Sequence, residues 1–297
     1  MYDRHQRPVI GVLGGSGLYE IEGLDETQWI EVHSPWGTPS DSLYSGSLNG
    51  VRIVFLPRHG RGHCYPPTDI NYRANIDILK RAGVTDLISL SAVGSFREAF
   101  EPGTFVIVDQ FIDRTFAREK SFFGKGLVAH VSMADPVCPR LGEALYSAAS
   151  DQGLKVFRNK TYLCMEGPQF STRAESELYR SWGCDIIGMT NMPEAKLARE
   201  AEICYASVAM VTDFDCWHPD HHDVQVADIL KVLTQNANNA RSLVKNVAPA
   251  IAAVRPGVCP HRCDRALDTA IITSPDARSA ERLAKLDAVA GRVLGEV

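Results

Sequence analysis

Asp213 and Asp215 close an apolar run, Ala206-Ser-Val-Ala-Met-Val-Thr-Asp-Phe-Asp215. Residues of that run favour a buried strand, in which positions i and i+2 point to one side, about 7 Å apart. Two acids placed so can converge on neighbouring atoms of one small polar ligand. The same pair would equally serve as a helix cap or a turn, a common fate of Asp after a strand. Other polar groups stand at comparable places. Gly14-Gly-Ser-Gly17 would let backbone amides approach an anion closely, with the Ser16 hydroxyl added. Arg58 offers a planar, permanent cation suited to phosphate, and His59 beside it could donate a further hydrogen bond. Ser91 and Thr190 add hydroxyls. Together they read as a phosphate site built without a P-loop, because the chain holds no Gly-x-x-x-x-Gly-Lys-Ser/Thr. Taken singly, each is also an ordinary turn or surface residue.

Four rival readings have weaker support. Gly11, Gly14 and Gly17 imitate a dinucleotide fingerprint, with Glu31 downstream, but Gly23 interrupts the helix that this motif needs. His218, Asp220, His221, His222 and Asp223 are possible metal ligands, yet their spacing is irregular and Pro219 marks a loop. Cys164 and Cys204 sit in apolar runs with no neighbouring base, unlike reactive thiols. In Cys259-Pro-His-Arg-Cys263 two thiols around a His could hold zinc, but no second ligand pair lies nearby in sequence. A local disulfide or plain loop cysteines are the expectation there.

The elements that must position these groups alternate between strands and helices, which argues for α/β layering. Strands are expected at 9–13, 52–56, 84–90, 104–110, 185–189 and 206–215, with a polar hairpin region over 29–47. Helices are expected at 71–82, closed by Gly83, and at 139–151, closed by Gly153. Thr172-Arg-Ala-Glu175 fits a capping box that opens another helix. Asn191 should cap the next, with Pro193 and Glu194 in its first turn. A long amphipathic helix covers 225–247, and the tail from Ser279 reads as helical. Polar or glycine clusters therefore follow five strands: Gly14–Gly17, Arg58–His59, Ser91–Gly94, Thr190 and Asp213–Asp215. Ligands in open α/β sheets bind beyond the carboxyl ends of strands, so five such ends on one rim would make a composite pocket.

The chain has 297 residues, 45% hydrophobic and 23% charged, with a net charge of −5. That length suits one large α/β domain or two small ones, and the chain is taken as a single domain, 1–297, with a divergent C-terminal segment at about 248–297. The negative balance and lack of Lys/Arg blocks argue against nucleic acid as a partner. No apolar leader precedes Pro8, and no run approaches the roughly 18 apolar residues that span a membrane, so a cytoplasmic location is expected.

The motifs taken jointly resemble a known family. Gly14-Gly-Ser-Gly-Leu18, Arg58-His-Gly60, Asn71-Tyr-Arg-Ala-Asn75, Asp109-Gln-Phe-Ile-Asp-Arg-Thr115, Glu166-Gly-Pro-Gln-Phe-Ser-Thr-Arg-Ala-Glu175, Met189-Thr190 with Pro193-Glu194, and Thr212-Asp-Phe-Asp-Cys-Trp217 are similar to the methylthioadenosine phosphorylase branch of the trimeric purine nucleoside phosphorylase family. The likeness spans about residues 9–247 and fades beyond. It implies a central mixed, largely parallel sheet flanked by helices. It implies pentosyl transfer: phosphorolysis of 5′-methylthioadenosine to adenine and 5-methylthioribose 1-phosphate, a salvage reaction. Inorganic phosphate is then a co-substrate, and no cofactor or metal is called for. The partners implied are a small nucleoside, phosphate and two further copies of the chain, with no nucleic acid and no membrane.

Carried over by position, the resemblance implies that Ser16, Arg58, His59, Ser91, Thr190 and the backbone N–H of Ala92 hold phosphate. Met189 would lie against the ribose. Phe170 would flank the purine with Ile187 nearby. Asp213 would face the ring nitrogen at position seven and Asp215 the exocyclic amine. Val226 and Ile229 would line the 5′ end, and His130 would reach the neighbouring subunit's pocket. Relatives selective for 6-oxo purines have Asn in place of the first acid, so Asp at both positions favours adenine. Ser91-Ala-Val93 departs from the Thr-Ala-Cys of familiar members but keeps the hydroxyl. The alternatives are an adenosine, methylthioinosine or broad purine nucleoside phosphorylase, or a nucleoside-binding protein without turnover.

Overall fold

The computed structural model describes residues 8–15, 18, 20–218, 226–255 and 257–295, with side chains for all of these but 226–229 and 231. Its strands are β1 (Val9–Gly14), β2 (Asp25–Ile30), β3 (Leu43–Leu48), β4 (Val51–Pro57), β5 (Val84–Ser95), β6 (Phe105–Asp113), β7 (Val156–Cys164), β8 (Ile186–Gly188) and β9 (Cys204–Asp213). The helices are α1 (Tyr72–Arg81), α2 (Pro139–Asp151), α3 (Arg173–Ser181), α4 (Asn191–Glu200), α5 (Val226–Ala253), α6 (Ala280–Lys285) and α7 (Asp287–Leu294).

All nine strands among the described residues belong to one sheet, ordered β2-β3-β4-β1-β5-β8-β7-β6-β9. The pairs β1–β4, β1–β5, β5–β9, β6–β7 and β7–β8 are parallel, whereas β2–β3, β3–β4, β5–β8 and β6–β9 are antiparallel. Because β9 also pairs with β5, the strands β5-β8-β7-β6-β9 close into a ring. The expected mixed, largely parallel sheet is what forms.

Alternation along the central strands sorts side chains into two cores. Leu13, Leu87, Ala209 and Val211 join residues of α1, α4 and α7 on one side. Val12, Ile88, Val208 and Met210 join residues of α2 and α5 on the other. A strand covered on both faces must be apolar throughout, which is why β1 and β9 read as continuous hydrophobic runs.

Several boundaries follow local chemistry. The Asn71 side chain accepts from the Ala74 N–H at 3.1 Å and opens α1, and Gly83, at φ +86°, ends it. Thr172 and Glu175 form the reciprocal capping box of α3. Other expectations need correction. β5 runs on to Ser95, so the Ser91–Gly94 cluster lies within a strand and not after it. β9 stops at Asp213, and Asp215 is in a turn at φ +52°. β7 was not anticipated. Asn191 does not cap α4; Thr190 holds that place, without a side-chain bond. Met192 is extended (φ −118°, ψ 131°), as suits a residue before proline. The tail helix is broken at Leu286 into α6 and α7.

Candidate active site

β5 is the spine of the site. It pairs with β1 as far as Ser89, and at Gly94 it pairs with β8 through Ile187 and with β9 through Asp213. A methyl group at Gly94 would lie 2.9 Å from Asp213 Oδ1, 3.1 Å from the Ile187 side chain and 3.4 Å from the Asp215 Cβ. The missing side chain is therefore what lets two acids and an apolar wall meet at one point. The two acids come together differently from the strand alternation expected of them. Asp213 Oδ1 accepts from the backbone N–H of Asp215 at 2.8 Å, and Oδ2 accepts from the Thr212 hydroxyl at 2.7 Å. Asp213 thus also organises a turn, and that turn aims Asp215.

Both carboxyls are raised. Burial pushes Asp213 up, against the hydrogen bonds from Thr212 and Asp215. Burial also pushes Asp215 up to about 6; the nearby Ser176 hydroxyl opposes the rise and the Asp213 charge adds to it. Acids of this kind can hold a proton near neutral pH and hand it to a leaving base.

Three residues back along β5, the Ser91 hydroxyl lies 3.3 Å from the Thr190 hydroxyl and 3.3 Å from that of Tyr162. The antiparallel arrival of β8 brings Thr190 there, at the N-terminal end of α4 where amide dipoles favour an anion. Ala92 is exposed beside them, in register with Met210.

Arg58 sits under the rim and not on it. It is 2% exposed, with Nε 2.8 Å from Glu194 Oε2, Nη1 2.9 Å from the Leu90 carbonyl and Nη2 2.6 Å from the Ser89 hydroxyl. Ser89 and Tyr205 both donate to Glu194 Oε1, and Asn191 links Ser89 to Ser207. Glu194 was expected to favour a helix dipole; it is instead the counter-ion of Arg58, 136 residues away in sequence. Burial opposes the Arg58 charge, but Glu194 keeps it fully cationic beneath the Ser91–Thr190 pair.

His59 also differs from expectation. Its Nδ1 lies 2.8 Å from the Tyr65 carbonyl, which can only accept, so Nδ1 carries the proton. Burial, with Arg58 and His63 nearby, lowers the ring to about 4, so Nε2 of the neutral ring is an acceptor. It can receive a hydrogen bond from an acidic O–H but donates none.

A cross-link that the sequence reading missed holds the opposite wall. Arg118 bonds Glu166 Oε1 at 3.0 Å and the carbonyls of Met189, Met192 and Glu166 at 2.6, 2.7 and 2.6 Å. Burial alone would raise Glu166, but donors from Thr68, Phe116, Ala117 and Arg118 hold it at about 2. Arg118 thereby sets Met189, which is half-buried and packs against Gly167. Phe170 is 44% exposed, and its loop is pinned to the acid turn by Cys216 Sγ to the Ser171 carbonyl and Arg173 to the Cys216 carbonyl. Ile187 is buried with Phe96, Leu163 and Tyr179. His130 is exposed, its N–H bonded to the Ala270 carbonyl, and no contact joins it to the Gly94 junction within the chain's described residues. Ser16 and the side chains of Val226 and Ile229 lie outside the described residues, as do Asp220, His221, His222 and Asp223. His218 faces Glu98 at 3.0 Å. Cys164 is buried and pushed up to about 12 by that burial, hence a thiol and not a nucleophile.

Comparisons with known proteins give the family. Residues 9–249 match the model of the phosphorylase superfamily. S-methyl-5′-thioadenosine phosphorylase of Cereibacter sphaeroides is 63% identical over 97% of this chain and 99% of its own length. The protein of the same name from Rhodospirillum rubrum is 62% identical, covering 99% of this chain and all of its own. Among solved structures, a methylthioadenosine phosphorylase from an antarctic soil metagenomic library superposes with a TM-score of 0.90 at 46% identity, over 96% of this chain and 99% of that one. Methylthioadenosine phosphorylase of Schistosoma mansoni, in complex with adenine, gives 0.78 at 36% identity, over 82% and 92%. On a match that spans most of its length, and on relatives more than half identical from end to end, this chain belongs to the phosphorylase superfamily.

Proposed function

We propose that this chain is a pentosyltransferase of the purine nucleoside phosphorylase type, which splits 5′-methylthioadenosine with phosphate into adenine and 5-methylthioribose 1-phosphate. The observation that carries the reading is the arrangement along β5. A hydroxyl pair at an amide-rich helix end and an acid pair at Gly94 are separated by three residues of one strand. That is about 10 Å, the span that a phosphate and a purine joined through one ribose carbon need.

Phosphate held by Ser91, Thr190 and the Ala92 N–H attacks the anomeric carbon as its bond to the purine breaks. The developing positive sugar is stabilised by the phosphate charge, and Arg58 below offsets that charge in turn. Asp213 gives a proton or hydrogen bond to the ring nitrogen at position seven. The proton balance closes because hydrogen phosphate loses its proton on becoming an ester, and the free base gains one. Neutral His59 suits the accepting side of that phosphate O–H. Asp215 accepts from the exocyclic amine, whereas a 6-oxo group would set acceptor against acceptor, costing about 1–3 kcal/mol. Met189 packs on the ribose, Phe170 and Ile187 bound the base, and Ser16, Val226 and Ile229 complete the phosphate and 5′ ends.

A homotrimer in which His130 enters the neighbour's pocket belongs to the same proposal. It is supported by the exposure of His130 and by its lack of a role within its own chain's described site. A place in cytoplasmic methionine and purine salvage follows from the substrate; no described helix is long and apolar enough to cross a membrane. The test is phosphate-dependent release of base from methylthioadenosine, adenosine, methylthioinosine and inosine, side by side. Preference for methylthioadenosine is expected. Preference for either inosine-type substrate would refute the roles of Asp213 and Asp215, and no release from any would leave a binding protein.

A further inference from the structure

Four of the eight cysteines fall into one cluster. Cys259 and Cys263 form no disulfide, and Cys138 and Cys204 supply the second pair that their sequence surroundings lack. The four sulfur atoms lie within 4.8 Å of one another, and every one of the residues is at most 2% exposed. Cys138 Sγ and Cys259 Sγ are 3.7 Å apart. Four sulfurs at about 2.3 Å from a central zinc ion stand about 3.8 Å from each other, whereas a disulfide needs about 2.05 Å. Four thiols turned towards each other make poor donors and acceptors, and an isolated buried cysteine packs against carbon instead.

Two arginines stand beside the cluster. Cys138 stands at the N-cap of α2. The Arg140 charge acts on Cys138 and Cys204, and Arg255 acts on Cys204. Both guanidiniums bond Asp86, yet Arg140 Nε and Nη1 remain buried without an acceptor among the described residues. A tetrathiolate around a dication carries a charge of about −2, which this cationic shell offsets.

We propose that Cys138, Cys204, Cys259 and Cys263 form a closed tetrahedral four-thiolate site for a zinc ion. Binding takes four thiols and one divalent ion to a tetrathiolate complex and releases four protons, with no electron transferred. The site is structural. Cys204 opens β9 and Asp213 ends it, so the ion lies about 30 Å from the acids, and four protein ligands leave no open position. It clamps the loop after α5 onto the base of the sheet. That loop leads to Ala270 and Ile271, which hold the segment carrying His130.

The experiment is elemental analysis of the full chain, purified under reducing conditions from zinc-supplemented culture. About one zinc per chain is expected, released by a thiol-blocking mercurial. His261→Ala should keep the metal, because the ring is not a ligand, and Cys263→Ala should lose it. Should that variant fail to fold, Co2+ substitution of the unaltered chain should give the visible absorption of a tetrahedral thiolate site. Folded, active protein with less than about 0.1 equivalents of zinc would overturn the proposal. So would an unreduced mass about 4 Da low, the mark of two disulfides. Metal content is read independently of phosphorolysis, so failure here and failure of the proposed activity are distinguishable.

Discussion

Replacing Arg58 with Met removes the only cation that faces Glu194 among its described hydrogen-bond partners. Glu194 is 0% exposed, so its charge has no route to water. Its Oε1 keeps the Ser89 and Tyr205 hydroxyls, but Oε2 loses the Arg58 Nε, and the carbonyls of Leu13 and Leu90 lose donors as well. Breaking a buried pair from one side costs about 3–5 kcal/mol, and the two hydroxyls that remain place this case near the lower end. With a urea dependence of about 3 kcal/mol per M, the unfolding midpoint should fall by about 1 M. Adding Glu194→Gln should recover part of the loss, with a coupling of about 2 kcal/mol in the double-mutant cycle. In turnover, the phosphate KM should rise about tenfold, and more than the nucleoside KM, because the lost charge lay beneath Ser91 and Thr190. Destabilisation below about 1 kcal/mol, absence of coupling, or equal weakening of both substrates would refute the reasoning.

Gly94→Ala sets a methyl group 2.9 Å from Asp213 Oδ1; nucleoside kcat/KM should fall at least about tenfold with little change in phosphate KM, and a neutral result would show that the acids do not meet there. Asp213→Asn should slow 6-amino substrates and admit 6-oxo ones, so unchanged selectivity in the four-substrate assay would remove Asp213 from base recognition. Ser91→Ala should raise phosphate KM by about fivefold to tenfold, and a rise confined to the nucleoside would misplace the anion. Asp215 is raised to about 6 in the folded chain, so the native state holds a proton there that the unfolded chain has already lost. Its contribution to stability is present below the unfolded value near 4 and is lost as pH rises towards 6, so Asp215→Asn should unfold in urea with a smaller decline between those pH values. A mutant curve parallel to the parent's would rule out the raised carboxyl.

How much could be read from the residues depends on how far each cause reaches along the chain. The bounds of α2, the capping box of Thr172 and Glu175, and the end of α1 at Gly83 are set by interactions within four residues. They appear where residue types place them. The continuous apolar runs of β1 and β9 identify strands covered on both faces, and from these the layered α/β class follows. β7 escaped notice because its early positions carry Arg158, Asn159 and Lys160, a polar stretch that joins the sheet only through pairing with β6. The motif set also carried the phosphorolytic chemistry, through likeness to a family and not through periodicity.

The types of the site residues were thus legible in the sequence, but their relations were not. Whether Arg58 meets solvent or Glu194 depends on a contact across 136 positions. Whether His59 donates or accepts depends on the carbonyl of Tyr65. That Asp213 and Asp215 converge beside Gly94 through a turn of their own, and that four scattered cysteines enclose one point, depends on how β5, β8 and β9 pair and where α5 returns the chain. Sequence by itself determined the elements, the layered class and the inventory of chemical groups, because local propensity and burial pattern act over a few residues. Only the tertiary structure decided which groups share a hydrogen bond, a charge or a shielded space, because those energies depend on distance in space and on exclusion of water.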